Sequence, residues 1–193
     1  MASYSLRARP RPPGAPLRYA ALHSAACAAE PKFAFGQKTV FGGLAMGFLS
    51  GSVAFAGSRY GSPWAVAPVV AAVLSAGGSV RVGCARGVDL SVRVAAGASA
   101  VVVAASAWSY LPPRVALSVR TRAVVSGASA LVVFPPVSGV LGPGSALALS
   151  TALELGLPVW VAGSARPAGS GWSPLALAGV PGFECVPAQP CLF

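Results

Sequence analysis

The chain predicts an α/β domain built on a mostly parallel sheet, and three observations predict it. Short apolar runs of five or six residues alternate with stretches of helical length through most of the sequence. The runs are continuous rather than alternating, as in strands covered by helices on both faces. Most of them hand over to a Gly- or Pro-bearing turn, which punctuates a strand–loop–helix unit.

In order, Ser52-Val-Ala-Phe-Ala-Gly57 reads as a buried strand ending on glycine. Residues 63–76 have helical length and follow Ser62, an N-cap residue with Pro63 at the first helical position. Ser79–Cys84 is a second strand, Val88–Ala96 a short helix and Ser99–Ala104 a third strand. An irregular stretch with Trp108, Tyr110, Pro112 and Pro113 leads into a helix over about Val115–Ser126. Ala130–Phe134 is the clearest strand, and Pro135-Pro136 ends it. A Gly/Pro loop then precedes a helix over Ser145–Leu155, stopped by Gly156, and Pro158–Ala162 is the last strand. Alternation of this kind implies right-handed crossovers and a Rossmann-like three-layer sandwich. Residues 164–193, rich in Gly and Pro, are expected to wrap the edge of that sheet.

The 193 residues suffice for one domain over residues 39–193, preceded by a tail over residues 1–38. In the tail Arg7, Arg9 and Arg11 alternate with prolines that forbid regular helix, so a basic arm, disordered or partner-bound, is expected. An organelle transit peptide is the alternative reading, and cytoplasm the expected compartment otherwise.

Hydrophobic residues make up 55% of the chain and charged residues only 9%, against roughly 25% charged in ordinary soluble domains. Val94–Leu111 and Ala123–Leu153 are free of charge and long enough to raise the membrane question. They consist of Ala, Gly, Ser and Val, which gain little from lipid, and the second is broken by Pro135-Pro136 and Gly142-Pro143-Gly144. No membrane span is expected. The net charge of +10 is shared between tail and domain, and points to an anionic partner, either nucleic acid or a phosphate-bearing small molecule. Scarce surface charge also favours self-association, so a homo-oligomer is expected. Four cysteines without a Cys-x-x-Cys pair and a single histidine, His23, offer no zinc spacing, and neither a metal nor a cofactor is expected.

In open α/β sheets, ligands bind beyond the carboxyl ends of the strands, where loops meet helix N-termini. Three segments place suitable residues there. Gly57-Ser58-Arg59 combines a turn glycine, a hydroxyl and a guanidinium able to fork onto phosphate. Gly83-Cys84-Ala85-Arg86-Gly87-Val88-Asp89 follows the second strand, with glycines that let backbone approach a ligand. Its Asp89 is expected to orient a ribose hydroxyl or Arg86, or else to occupy the first helical turn as a structural acid. Gly139–Ser145, with Gly142, Gly144 and Ser145 before a helix from Ala146, presents N–H groups suited to an anion. Plain turns use the same residues.

Taken together, Gly-Ser-Arg after the first strand, Ala-Arg-Gly-x-Asp after the second, Arg120-Thr121-Arg122 before the Leu-Val-Val-Phe strand and Gly-x-Gly-Ser before a helix form an ordered set. That order resembles the SLOG superfamily of Rossmann-like proteins, which includes the YspA-like group, the DNA-processing protein DprA and the LOG phosphoribohydrolases. The resemblance covers roughly residues 52–163. The short interval from Asp89 to Arg120, with Ala107-Trp108 inside it, is similar to the YspA-like layout; Arg120–Gly127 and Gly144–Gly156 are similar to DprA, which binds single-stranded DNA. It implies ligand contacts from Arg120 and Arg122. Thr121 stands where both groups usually carry Asn, so a contact made by that Asn is not implied here. The LOG signature Pro-Gly-Gly-x-Gly-Thr-x-x-Glu, laid on Gly144-Ser145, puts Ala148 at the catalytic Glu, and LOG-type hydrolysis is not expected.

The acids outside the tail are Asp89, Glu154 and Glu184, with no histidine beside them and no Gly-Lys-Ser/Thr loop. This inventory suits a binder better than an enzyme, and no catalytic residue is expected. The leading expectation is binding or sensing of a nucleotide or nucleotide derivative. The alternatives are DprA-like binding of single-stranded nucleic acid, for which Trp108 and Tyr110 are the nearby stacking residues, and an assembly protein with a degenerate pocket.

Overall fold

A computed structural model describes residues 47–60 and 63–187. The expected basic arm, residues 1–38, lies outside the described residues. The strands are β1 (Ser52–Gly57), β2 (Ser79–Gly83), β3 (Ala100–Val103), β4 (Ala130–Phe134), β5 (Val159–Ala162), β6 (Trp172–Pro174) and β7 (Gly182–Cys185). The helices are α1 (Pro63–Ser75), α2 (Val88–Ala96), α3 (Pro113–Ser126) and α4 (Pro143–Glu154).

One sheet has the order β3-β2-β1-β4-β5-β7-β6. Neighbours from β3 to β5 run parallel, whereas β7 pairs antiparallel with both β5 and β6. The sequence order reverses between β1 and β4, which is the topological switch point where this class of sheet opens a crevice. The fold is therefore the Rossmann-like three-layer sandwich that the sequence predicts.

Strand alternation divides the core into two layers. Val53 and Phe55 of β1, Val80 and Val82 of β2, Val132 and Phe134 of β4 and Trp160 of β5 pack with Val66, Val69, Val70 and Val73 of α1 and Val88 and Val92 of α2. On the opposite face Ala54, Leu131, Val133, Val159 and Val161 pack with Val124 and Val125 of α3 and Ala148 and Ala152 of α4. Trp160 is the largest fully buried side chain. Its ring meets Phe134 edge-on at 6.0 Å, and its Nε1 donates to the carbonyl of Leu175 at 3.0 Å, so its polar atom is satisfied as burial requires.

Residues 164–187 do not simply wrap the edge: they add β6 and β7 to the sheet beside β5. Strands of three and four residues carry too few positions for a period of two to show in the sequence. The helices α3 and α4 also begin earlier than expected, at Pro113 and Pro143, because each proline supplies a pre-set φ at the first helical position. Gly144 and Ser145 consequently belong to the first turn of α4 rather than to a loop before it.

The two charge-free stretches fold as ordinary elements. Val94–Leu111 runs from the end of α2 through β3, and Ala123–Leu153 from the end of α3 through β4 into α4. Among the described residues no helix is long and apolar enough to cross a membrane.

Candidate functional site

At the carboxyl edge of β1, β2 and β4, between α3 and the α4 N-terminus, lies a cleft of about 870 Å³. That is within the range of small-molecule and cofactor sites, roughly 300–1,000 Å³. Of the residues singled out in the sequence, Gly57, Ser58, Arg59, Gly83, Arg86, Asp89, Arg120, Gly142, Gly144 and Ser145 line it. Segments far apart in the chain thus meet at one place, brought there by the parallel register of β1 with β2 and β4.

The Gly57-Ser58-Arg59 turn is fixed from two sides. Ser58 N–H donates to Phe134 O at 3.0 Å, and Ser58 O accepts from Val88 N–H at 3.1 Å. The Ser58 hydroxyl accepts from Tyr60 N–H at 3.0 Å and closes the turn. A Cβ at Gly57 would lie 2.6 Å from Phe134 O and from Val88 Cγ2, so only glycine fits where β1 passes between β4 and α2.

Gly87 lies outside the cleft lining. It caps α2 at φ +72°, and a Cβ there would collide with the backbone of Arg59. Its work is to let two site loops touch. Arg122 is also outside: it is exposed on α3 two residues beyond Arg120, a step of about 200° around the helix. The ligand contact implied for it has no counterpart in the cleft geometry.

The floor of the cleft is an under-satisfied ion pair. Arg120 on α3 keeps 12% of its side chain exposed and Asp89 on α2 keeps 10%. Arg120 Nη1 stands 3.7 Å from Asp89 Oδ2 and 3.7 Å from Cys84 Sγ. Its Nε is buried with no hydrogen-bond partner among the described residues. A Cβ on Gly83 would come within 2.6 Å of Asp89 Oδ2 and 2.9 Å of the Arg120 guanidinium, so the bare glycine makes room for the pair. Asp89 Oδ2 also accepts from Ala85 N–H at 3.1 Å. Burial pushes its carboxyl above the usual 3.8, against the opposing pull of that N–H and of Arg120, Arg93 and Arg59. Asp89 therefore orients the loop before α2 and Arg120, rather than Arg86.

Cys84 is exposed beside this pair. Its thiol is held below the usual 9.0, chiefly by the Ala105 N–H at 3.5 Å and then by Arg120, with desolvation opposing.

On the far wall, α4 begins without a side-chain cap at Gly142. Its first-turn N–H groups are orphans by position, and nothing stands within 4 Å of the place a Gly144 side chain would occupy. The positive end of the helix dipole faces the same opening.

Several lining residues escaped the sequence reading, Arg114, Ser118 and Tyr60 among them. Arg114 adds a cation from the first turn of α3, and Ser118 lies one turn further on. The signal for both was available in the Pro112-Pro113 start of that helix, whose Arg114, Ser118 and Thr121 share a face with Leu117. Tyr60 also lines the cleft and is 88% exposed. Thr121, at the position where Asn is usual, lines the cleft but spends its hydroxyl on Leu117 O at 2.9 Å. Charged residues on the lining are thus Arg59, Arg86, Arg114 and Arg120 against Asp89 alone. Among the described residues no group of three or more His, Cys, Asp or Glu is placed to hold a metal ion.

Comparison with known proteins is sparse. No family model matches the chain, and no curated protein matches it. Among solved structures, this chain is similar to DNA processing protein A from Helicobacter pylori, whose structure was described for its single-stranded DNA binding mode. The two share 13% identity over 66% of this chain and 72% of that chain, with a TM-score of 0.50. At that identity the likeness is one of fold, and it supports the Rossmann-like architecture.

Proposed function

We propose that the cleft binds a nucleotide or nucleotide derivative through its phosphate, and that the protein acts as a binder rather than as a catalyst. The observation that carries this reading is Arg120. A guanidinium buried to this degree ordinarily has its donors satisfied, because leaving a charged group short of partners is costly. Here its two contacts are both at 3.7 Å and its Nε has none among the described residues. A phosphate oxygen entering the cleft would complete that coordination, with Arg59, Arg86 and Arg114 on the same lining and the uncapped α4 N-terminus opposite. Asp89 is the acceptor available for a ligand hydroxyl.

A second reading places the nucleotide within a single-stranded nucleic acid. The fold shared with DNA processing protein A favours it, as does the net charge of +10. Both readings use the same phosphate chemistry.

Titration calorimetry against mononucleotides, an ADP-ribose-type compound and short oligonucleotides tests them. Binding of at least one of these is expected, and Arg120→Ala should weaken it by about tenfold or more, the scale of a lost charged hydrogen bond. A folded protein that takes up none of them would end the proposal.

A further inference from the structure

The two edges of the sheet are built differently. An edge strand shows a row of backbone N–H and C=O groups to whatever comes next, and proteins blunt such an edge with a proline, a charge or a cover. β6 is blunted: it is three residues long, ends on Pro174 and follows Gly171 at φ +84°. β3, Ala100-Val101-Val102-Val103, has none of these devices. Among the described residues no strand pairs with its outer side. Its stretch of chain is equally bare, since no charged residue occurs from Val94 to Leu111.

Both faces of β3 are apolar and half-exposed. Val101 pairs with Arg81, whose guanidinium reaches α3, and so lies on the α3 side at 46% exposure. Val102 pairs with Val82 of the core beneath α1 and α2, and lies on the other side at 45%. A fitting occupant is an extended strand that is apolar on both faces, which describes β3 itself.

We infer that β3 is a self-association edge, which pairs antiparallel with β3 of a second copy about a two-fold axis normal to the sheet. The inference stands apart from the phosphate-binding reading. Such an axis keeps each face on its own side, so two seven-stranded sheets join into one and the helix layers continue across it. Opposed residues of an antiparallel pair share a face. Centring the pair on Val101 or on Val102 therefore sets valine against valine, and branched side chains pack well on a pleated surface. Charge favours a second copy over other occupants. Each copy carries +10, so two copies meet most readily where cations are absent, and this edge supplies that place. Antiparallel pairing also sends the two arginine-lined clefts, at the carboxyl ends of β1, β2 and β4, to opposite ends of the joined sheet. The basic residues 1–38 suit the edge less well, because Val94–Leu111 offers no acid to their cations.

Sedimentation velocity of the full-length protein over a range of concentrations, paired with amide hydrogen exchange, tests this. A reversible dimer is expected, with the β3 amides exchanging more slowly as its population rises. Val101→Lys and Val102→Lys, made separately, should each weaken dimerisation by about tenfold or more, because they bring like charges together across the axis. Leu155→Lys, which adds the same charge at the exposed end of α4, should leave dimerisation unchanged. A thermal melt checks that the lysine variants fold, and the exchange measurement on the wild-type chain needs no variant. A chain that stays monomeric at every concentration overturns the inference. So does a dimer that Trp64→Ser disrupts while the β3 lysines do not, which would place the contact on the outer face of α1. Protection of β3 that does not depend on concentration also overturns it, since the edge would then be filled within one copy. Loss of association on removing residues 1–38, with no effect of the β3 lysines, would do the same.

Discussion

Asp89 shows how a single residue is governed by what surrounds it. It is the one negative charge among the charged residues of the cleft lining, and burial raises its pKa above 3.8. Protonation removes a charge that repels phosphate, so affinity for a phosphodiester, which does not titrate in this range, should rise as pH falls through the pKa of Asp89. Asp89→Asn should strengthen phosphodiester binding at pH 7 by about fivefold, on the scale of ~1 kcal/mol for a screened charge pair. It should also flatten the pH profile, as read by calorimetry between pH 4 and 7. A loss of affinity instead would show that the carboxylate accepts a ligand hydroxyl. For stability the sign follows from linkage. The folded state holds this proton more tightly than the unfolded state, so stability due to this group is lost as pH rises from 3.8 through the raised value.

Cys84 and Gly87 give two further residue-scale expectations. The Cys84 thiol, lowered from 9.0 by the Ala105 N–H and by Arg120, should alkylate with a pH midpoint below that value. In Arg120→Ala the midpoint should move upward, and mass mapping of iodoacetamide labelling would follow it. An unmoved midpoint would mean that Arg120 does not act on the thiol. Gly87→Ala should destabilise the fold by about 2–4 kcal/mol, since alanine is strained at φ +72° and its Cβ meets the backbone of Arg59. Urea unfolding midpoints would measure it.

At the scale of elements, α3 is the most informative. It carries Arg114, Ser118, Arg120 and Thr121 to the cleft, and further along it Val124 and Val125 bury against the sheet at the base of the same cleft. Its carboxyl end is closed from outside: Arg81 on β2 donates from Nε to Val124 O and from Nη2 to Ala123 O, each at 3.4 Å. Gly127 leaves the space that this guanidinium needs. A cation there satisfies orphan carbonyls and complements the helix dipole. Arg81→Met should therefore cost about 1 kcal/mol, a fall in Tm of about 3 °C by thermal melt for a chain of this size. An unchanged Tm would show that solvent caps the helix equally well. α2 is tied to the loop before it by its own Arg93, which donates from Nη2 to Ala85 O at 3.0 Å beside Asp89.

For the whole molecule, charge and topology act together. The sequence places six basic residues and one acid within residues 1–38, and eight and three beyond them. Binding to a single strand should weaken steeply with salt. A slope of log K against log salt near about −3 is expected if the four cleft arginines each neutralise a phosphate. Removing residues 1–38 should lower overall affinity while the cleft keeps its own share of the slope. A salt-independent affinity would remove backbone phosphates from the account.

The strand–helix alternation was legible from residue 52 to residue 162 because parallel strands buried on both faces must be continuous apolar runs, and glycines and prolines mark where they stop. The same local logic placed Gly57-Ser58-Arg59 and Gly83 at strand ends. Which cations share a cleft was not local. Arg120 and Arg122 are alike in sequence, and only the seating of α3 against β1 and β2 turns one inward and leaves the other in solvent. Arg114 and Tyr60 enter the site for the same reason, and Gly87 leaves the lining because its contact is with the backbone of Arg59. Periodicity and turn chemistry depend on neighbours along the chain, so the sequence determined the elements from residue 52 to residue 162 and their order, though not the short β6 and β7. Convergence of side chains depends on helix rotation and strand pairing across long separations, and that the tertiary structure alone decided.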